Sequence, residues 1–188
     1  MFMQWNIKGK KAMLCAVLFC MTLLLNGCLV ESDAPILSES NSTKMPDISG
    51  TYRLNEDGLK AVYVFTGKKG TNNAYTVTAD GKDAGTAIID ALADKGTFIM
   101  QVEDDKIYLL PMIIEKAGLR VYLPGNTENA MDGKIMRELL AKNNVKGSDD
   151  KLQRGDMTPQ EYTTAVKAVF SGMFAANGLG KGLLLEKQ

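Results

Sequence analysis

Apolar and polar positions divide the chain into four stretches with different periods. Residues 12–25 form an apolar run without a charge. Residues 29–46 are rich in Ser, Asn, Glu and Pro and show no apolar period. From Asp47 to Pro124 the period is two, the mark of strands. Seven strands are predicted, at residues 51–55, 61–66, 74–79, 86–92, 97–102, 107–114 and 119–123. They are rich in β-branched and aromatic residues and separated by turn chemistry such as Asp80-Gly81, Asp94-Lys95-Gly96 and Glu103-Asp104-Asp105. Connections this short join antiparallel neighbours, hence a meander. Tyr75 and Val77 alternate with Thr76 and Thr78, so that strand is wet on one face. Strands 61–66 and 107–114 are apolar on both faces and call for cover on both sides, by the C-terminal helices. Pro111 has no N–H for a ladder, so its strand is broken, bulged or at an edge there.

Beyond Pro124 the period becomes helical. Thr127 can cap a helix running to about Lys142, with Met131, Ile135, Met136, Leu139 and Leu140 on one face. A second helix is signalled by the capping box Thr158-Pro159-Gln160-Glu161, with proline at its first position. Tyr162, Ala165, Val166, Val169, Phe170, Met173 and Phe174 follow at helical spacing, and Asn177-Gly178 is a stop signal. The tail 182–186 adds a short strand or packs as coil. The fold class expected is α+β: an antiparallel β-meander of about seven strands, closing as a barrel or left as a half-barrel, followed by two C-terminal helices.

The N-terminal run has a function of its own. Lys8, Lys10 and Lys11 precede it, and Leu25-Asn26-Gly27-Cys28 ends it. This is secretory signal architecture, and the four residues resemble the lipobox of bacterial lipoproteins. Asn26 departs from the Ala, Ser or Thr usual at its position in that family. The resemblance implies that Leu25, Asn26 and Gly27 are read by the signal peptidase. It also implies that Cys28 carries a diacylglyceryl group and becomes the first residue of the processed chain, with further acylation such as palmitate. Leu29, not Asp, follows the cysteine, which in Gram-negative members implies sorting to the outer membrane, facing the periplasm or the cell surface. The organisation expected is a signal peptide at 1–27, a flexible tether at 28–46 and one globular domain at 47–188, with the meander at 47–124 and the helical part at 125–188. As a coil, about 18 residues of tether would reach roughly 20–25 Å.

Composition narrows the chemistry. Cys15 and Cys20 leave with the signal and Cys28 is consumed by lipid, so no disulfide is expected despite an oxidising destination. Removal of three lysines takes the 22 basic residues to 19, against 22 acidic. A mildly acidic, well-mixed surface argues against nucleic acid as a partner. The sequence holds no histidine. Ser–His and Cys–His nucleophiles and imidazole or thiolate zinc sites are thereby excluded.

Weaker motifs have plain structural readings. Ser148-Asp149-Asp150-Lys151 has S-x-x-K spacing but lies in a polar loop without companion motifs. Glu103-Asp104-Asp105 reads as a hairpin turn, and Gly178-Leu179-Gly180-Lys181-Gly182 follows a helix where a phosphate loop needs a strand before it. Asp90 and Gln101 are polar within strands. They are expected to face water, the other reading being that they orient a ligand in a cavity. Met100, Met112, Met131, Met136 and Met173 fall on apolar faces, as core or as an adaptable ligand surface.

The expected function is a non-catalytic cell-envelope lipoprotein, without cofactor or metal, held on the membrane by its lipid anchor. It acts as a binding or interaction module whose partner is another envelope protein or a surface polymer. The alternatives are a lipocalin-like carrier of a small apolar ligand, or an inhibitor or exclusion lipoprotein against a hydrolase or phage that presents the loop Lys68 to Asn73. Ser49-Gly50-Thr51-Tyr52 resembles the opening of some envelope β-barrels, which bears on the carrier.

Overall fold

The computed structural model describes residues 29–40, 45–56, 59–124, 130–148 and 150–188. In chain order the elements are β1 (Val30–Ser32), β2 (Gly50–Glu56), β3 (Leu59–Gly67), β4 (Ala74–Ala79), β5 (Lys82–Ala91), β6 (Thr97–Glu103), β7 (Ile107–Glu115), β8 (Gly118–Val121), β9 (Leu123–Pro124) and β10 (Ala130–Met131). Then come α1 (Gly133–Lys142), β11 (Lys146–Gly147), β12 (Lys151–Gln153), α2 (Pro159–Ala175) and β13 (Leu183–Lys187).

Strands β2 to β8 form the expected antiparallel meander, and the tail strand β13 inserts between β2 and β8. Because β8 also pairs with β7, the sheet closes on itself as an eight-stranded barrel. The count of about seven was one short. The tail Leu183-Leu184-Leu185 lacks the alternation that marked the other strands. In the barrel Leu183 and Leu185 are buried and Leu184 is half-buried between them.

The wall at β5, β6 and β7 separates two cores. Met100 and Ile89 point into the barrel, whereas their neighbours Ile99 and Ile88 point out into a second core. That second core is closed by α1 and α2, which contribute Met136, Leu140, Tyr162, Val166, Val169, Phe170 and Met173. Helix α2 begins as its residues require: the Thr158 side chain accepts from the Glu161 N–H, and the Glu161 carboxylate accepts from the Thr158 N–H. Strand β7 is covered on both faces as expected. The outer face of β3 is not, since Val62 and Val64 are half-exposed there, beside Arg53, Thr51 and Thr78 on the flanking strands. The helices lie on the other side of the barrel.

Helix α1 begins at Gly133, later than expected. Asp132 is its cap, accepting from the N–H groups of Lys134 and Ile135 at 2.8 and 3.1 Å. The preceding Ala130–Met131 is held in a short parallel pairing with β9. Thr127 lies outside the described residues.

Residues 29–40, read from sequence as flexible tether, are built into the fold. Strand β1 pairs antiparallel with the first half of β7 and parallel with β12. Val30 is fully buried, and Ala34, Ile36 and Leu37 are buried beyond it. Ser32 Oγ lies 2.8 Å from the buried Tyr162 hydroxyl. The Glu31 carboxylate accepts from Lys106 at 2.7 Å and lies 3.7 Å from Lys151, and these lysines hold its pKa below the usual range. The segment shows no sequence period because it is a strap. Single apolar residues drop into the helix-side core between polar ones.

Pro111 is where β7 changes its outer partner. Before it, Ile107 to Leu109 pair with β1; after it, Met112 to Glu115 pair with β8. The residue without an N–H thus stands at the one position where no ladder donor is needed. Its carbonyl accepts from Tyr122 N–H at 3.0 Å.

Candidate functional site

Among the described residues, side chains of the barrel interior surround an apolar cavity of about 70 Å³. Leu54, Phe65, Val77, Ala84 and Met100 line it, and Tyr63 brings a phenol to its wall. Leu29, Leu110, Leu123 and Leu183 bound it on the side where β7 has left β8. An apolar cavity of about 150 Å³ admits benzene, and ligand pockets run to about 300–1,000 Å³. This cavity, at about 70 Å³, is smaller than either.

A second concavity lies outside, between the end of α1, the β11–β12 hairpin and the first half of α2. It is an open groove of about 870 Å³. Met157 and Ala165, half-buried, and the exposed Ala168 are its apolar lining. Its rim is polar: Lys146 and Asp156 form an exposed ion pair at 3.6 Å, and Arg154, Asn144, Gln160 and Thr164 stand around it. The Arg154 N–H donates to Asp33 at 2.8 Å, tying the groove to the N-terminal strap. Glu161 is held ionised by the Thr158 hydroxyl and N–H, which lower its pKa.

The motifs weighed from sequence are dispersed. Ser148 donates to Asp150 at 2.6 Å, while Lys151 turns to Glu31, so the pair does not meet as nucleophile and base. Glu103 to Lys106 make the β6–β7 hairpin, where burial and the neighbouring Asp105 and Asp83 raise the Asp104 pKa. Gly178 receives the end of α2 and its carbonyl accepts from Asp132 N–H at 2.6 Å, a packing role. Met100, Met112, Met131, Met136 and Met173 are buried in the two cores. Leu25, Asn26, Gly27 and Cys28, expected from sequence to form a lipobox, lie outside the described residues.

Two polar residues play larger parts than expected. Asp90 meets Lys167 of α2 at 2.8 Å. Gln101 does not face water: it is completely buried. Its Oε1 accepts from the N–H groups of Ile36 and Leu37 at 2.7 and 2.9 Å, and its Nε2 donates to Leu37 O and to Glu103. The amide replaces, for the strap, the ladder partners a strand would supply. Asn73, also buried, does the same further on, accepting from Ser40 N–H and donating to Ser38 O. Lys68 pairs with Glu39. The loop Lys68 to Asn73, considered as a projecting inhibitory loop, is thus engaged with the protein's own N-terminal segment. The signal that reveals Gln101 is its place between Met100 and Val102, an amide inside an otherwise apolar strand.

Burial gives the tyrosines a measurable signature. It pushes the Tyr63 hydroxyl up to about 12, with Asp80 adding to the effect, and raises Tyr52, Tyr75, Tyr122 and Tyr162 as well. The folded state favours the neutral phenol, whereas the unfolded chain ionises near pH 10. This contribution to stability is fully present below about pH 10 and is lost as pH rises from there through about 12. Tyrosinate absorbance of the folded domain should therefore rise late, and urea midpoints should fall steeply across that window. Ionisation near pH 10 with unchanged stability would contradict the buried placement.

Comparison with known proteins finds no matching family model, no similar curated protein and no similar solved structure.

Proposed function

We propose that this chain is a non-catalytic, lipid-anchored module of the bacterial cell envelope that binds its partner through the groove beside α2. The observation that carries the reading is the contrast between the two concavities: about 870 Å³ open to solvent outside, about 70 Å³ inside. A shallow floor with a rim of both charges and amides suits a polar extended partner, such as a segment of another envelope protein or a surface polymer. The resemblance of Leu25-Asn26-Gly27-Cys28 to a lipobox supports a place in the envelope, at the outer membrane. The lack of histidine leaves the groove with carboxylates, amides, hydroxyls and the cations Lys146 and Arg154, suited to recognition.

The test is native mass spectrometry of the domain after incubation with envelope extract from its host. The double variant Thr164→Arg, Ala168→Arg fills the groove from two solvent-exposed positions. It is expected to weaken capture of the added mass at least tenfold. The carrier is the second reading, and the apolar cavity behind Leu29 is what favours it. It would displace the first if the added mass were a few hundred daltons, survived the groove variant and vanished on Ala84→Leu, which fills the barrel.

A further inference from the structure

One end of the barrel has a low wall, and it adjoins the residue that the sequence marks for lipid. Strand β8 is four residues long and stops at Val121, level with Leu183, the first residue of β13. Strand β7 extends past that level to Ile107 and the turn at Glu103 to Lys106, whereas β2 and β3 end level with it at Glu56 and Leu59. Beyond the end of β8 the edge of β7 is taken by β1, and Leu29 and Leu123 line the barrel where the two strands part. Leu29 immediately follows Cys28. Whatever the local conformation, consecutive Cα atoms lie about 3.8 Å apart. From Val30 onward the chain is fixed by β1, with Glu31 N–H donating to Asp150 O at 2.8 Å and Asp33 N–H to Leu152 O at 3.1 Å.

We propose that this notched end of the barrel rests directly on the lipid surface, with Leu29 at the contact and no free tether between anchor and domain. The proposal rests on the lipoprotein reading of Cys28. A tether of about 18 flexible residues would let the domain roam roughly 20–25 Å from the bilayer. Residues 29–40 are instead spent on packing, so the anchor leaves the fold at the notch itself.

A second observation agrees. Of the half-exposed apolar residues packed on the barrel core, Leu29, Leu59, Ala61, Val102 and Leu110 lie toward this end, while Met45 and Ile114 lie toward the other. Half-exposed apolar side chains gathered at one end mark a contact surface. The bilayer is the partner that the anchor already holds there. The charges around this end are mixed, with Lys60, Lys82, Lys106 and Lys181 among Glu56, Asp80, Asp83, Asp104 and Asp105. The contact is therefore apolar and independent of anionic lipid, unlike docking through a basic patch. It also fixes the direction in which the groove beside α2 faces.

The sequence provides a clean reporter, because Trp5 is the only tryptophan and lies in the signal. Single tryptophans are placed at the notch by Lys181→Trp and Leu59→Trp, and in the opposite β7–β8 turn by Lys116→Trp. Each processed lipoprotein is reconstituted in phosphatidylcholine vesicles with brominated acyl chains, and intact mass establishes the lipid on Cys28. Both notch reporters are expected to be quenched at least twofold, equally at low and high salt, and the Lys116→Trp reporter to be unaffected. A flexible ten-residue Gly/Ser insertion between Cys28 and Leu29 should abolish the quenching. Lipidated, vesicle-bound protein with unquenched notch reporters, or with all three quenched alike, overturns the docking. A mass without lipid overturns the lipoprotein reading instead, and the docking with it.

Discussion

Replacing Gln101 by leucine should destabilise the protein by about 3 kcal/mol, although the substitution puts an apolar side chain in a buried strand. The amide makes four hydrogen bonds and none of its solvent-accessible surface remains. Leucine leaves the N–H groups of Ile36 and Leu37 and the carbonyl of Leu37 without this partner. Each buried orphan costs roughly 1–3 kcal/mol. The total is capped because the strap can peel away, exposing Ile36 and Leu37 and returning those groups to water. Urea denaturation gives the energy, and hydrogen exchange gives the mechanism. The amides of Ile36 and Leu37 should lose protection while those of β4 and β5 keep theirs. Asn73→Ala, acting further along the same strap, should cost about half as much. A Gln101→Leu protein within about 1 kcal/mol of the parent, with both amides still protected, would mean that apolar packing alone holds the strap.

That clamp also explains where sequence reasoning succeeds and stops. Elements that carry their own period are legible. The seven meander strands follow from alternation, and α2 follows from a cap, a proline and an apolar face within one stretch of chain. Elements whose partner is distant are not. Residues 29–40 read as linker because their order comes from Gln101 and Asn73, many residues away. The tail Leu183–Lys187 is ambiguous because three consecutive leucines suit a strand or packed coil, and only the gap between β2 and β8 selects the strand. Closure of the barrel is a property of that gap, so no local pattern announces it.

The candidate sites divide in the same way. The proposed lipid site at Cys28 is legible because a processing signal must be readable in an extended chain. The groove is not, since Asn144, Arg154 and Thr164 come from three separate elements and are unremarkable individually. Leu29 is a single leucine in a polar stretch, and only the end of β8 at Val121 gives it a place in the barrel wall.

Gly118→Ala tests the closure directly. Gly118 has φ +153° where β8 crosses β13, and a Cβ there would lie 2.0 Å from the Leu185 carbonyl oxygen and 3.0 Å from the Lys187 nitrogen. Both obstacles are backbone, so no rotamer change relieves them. The two strands must move apart along the pairing that joins the chain's last strand to the rest of the barrel. Overpacking of this kind costs up to about 3 kcal/mol, and the backbone conformation adds about 1 kcal/mol more. Gly81→Ala isolates the second contribution, because Gly81 also has positive φ, +75°, but has nothing within 4 Å of its Cβ position. The Gly118 variant should therefore lose roughly 3 kcal/mol more than the Gly81 variant. Its loss should appear as weakened exchange protection along β8 and β13, and as ready proteolysis of the C-terminal strand. Equal destabilisation of the two variants would show that the seam yields to a methyl group. The barrel would then be held shut by its core, from Met112 through Leu119 to Leu185, rather than by the close approach of β8 and β13.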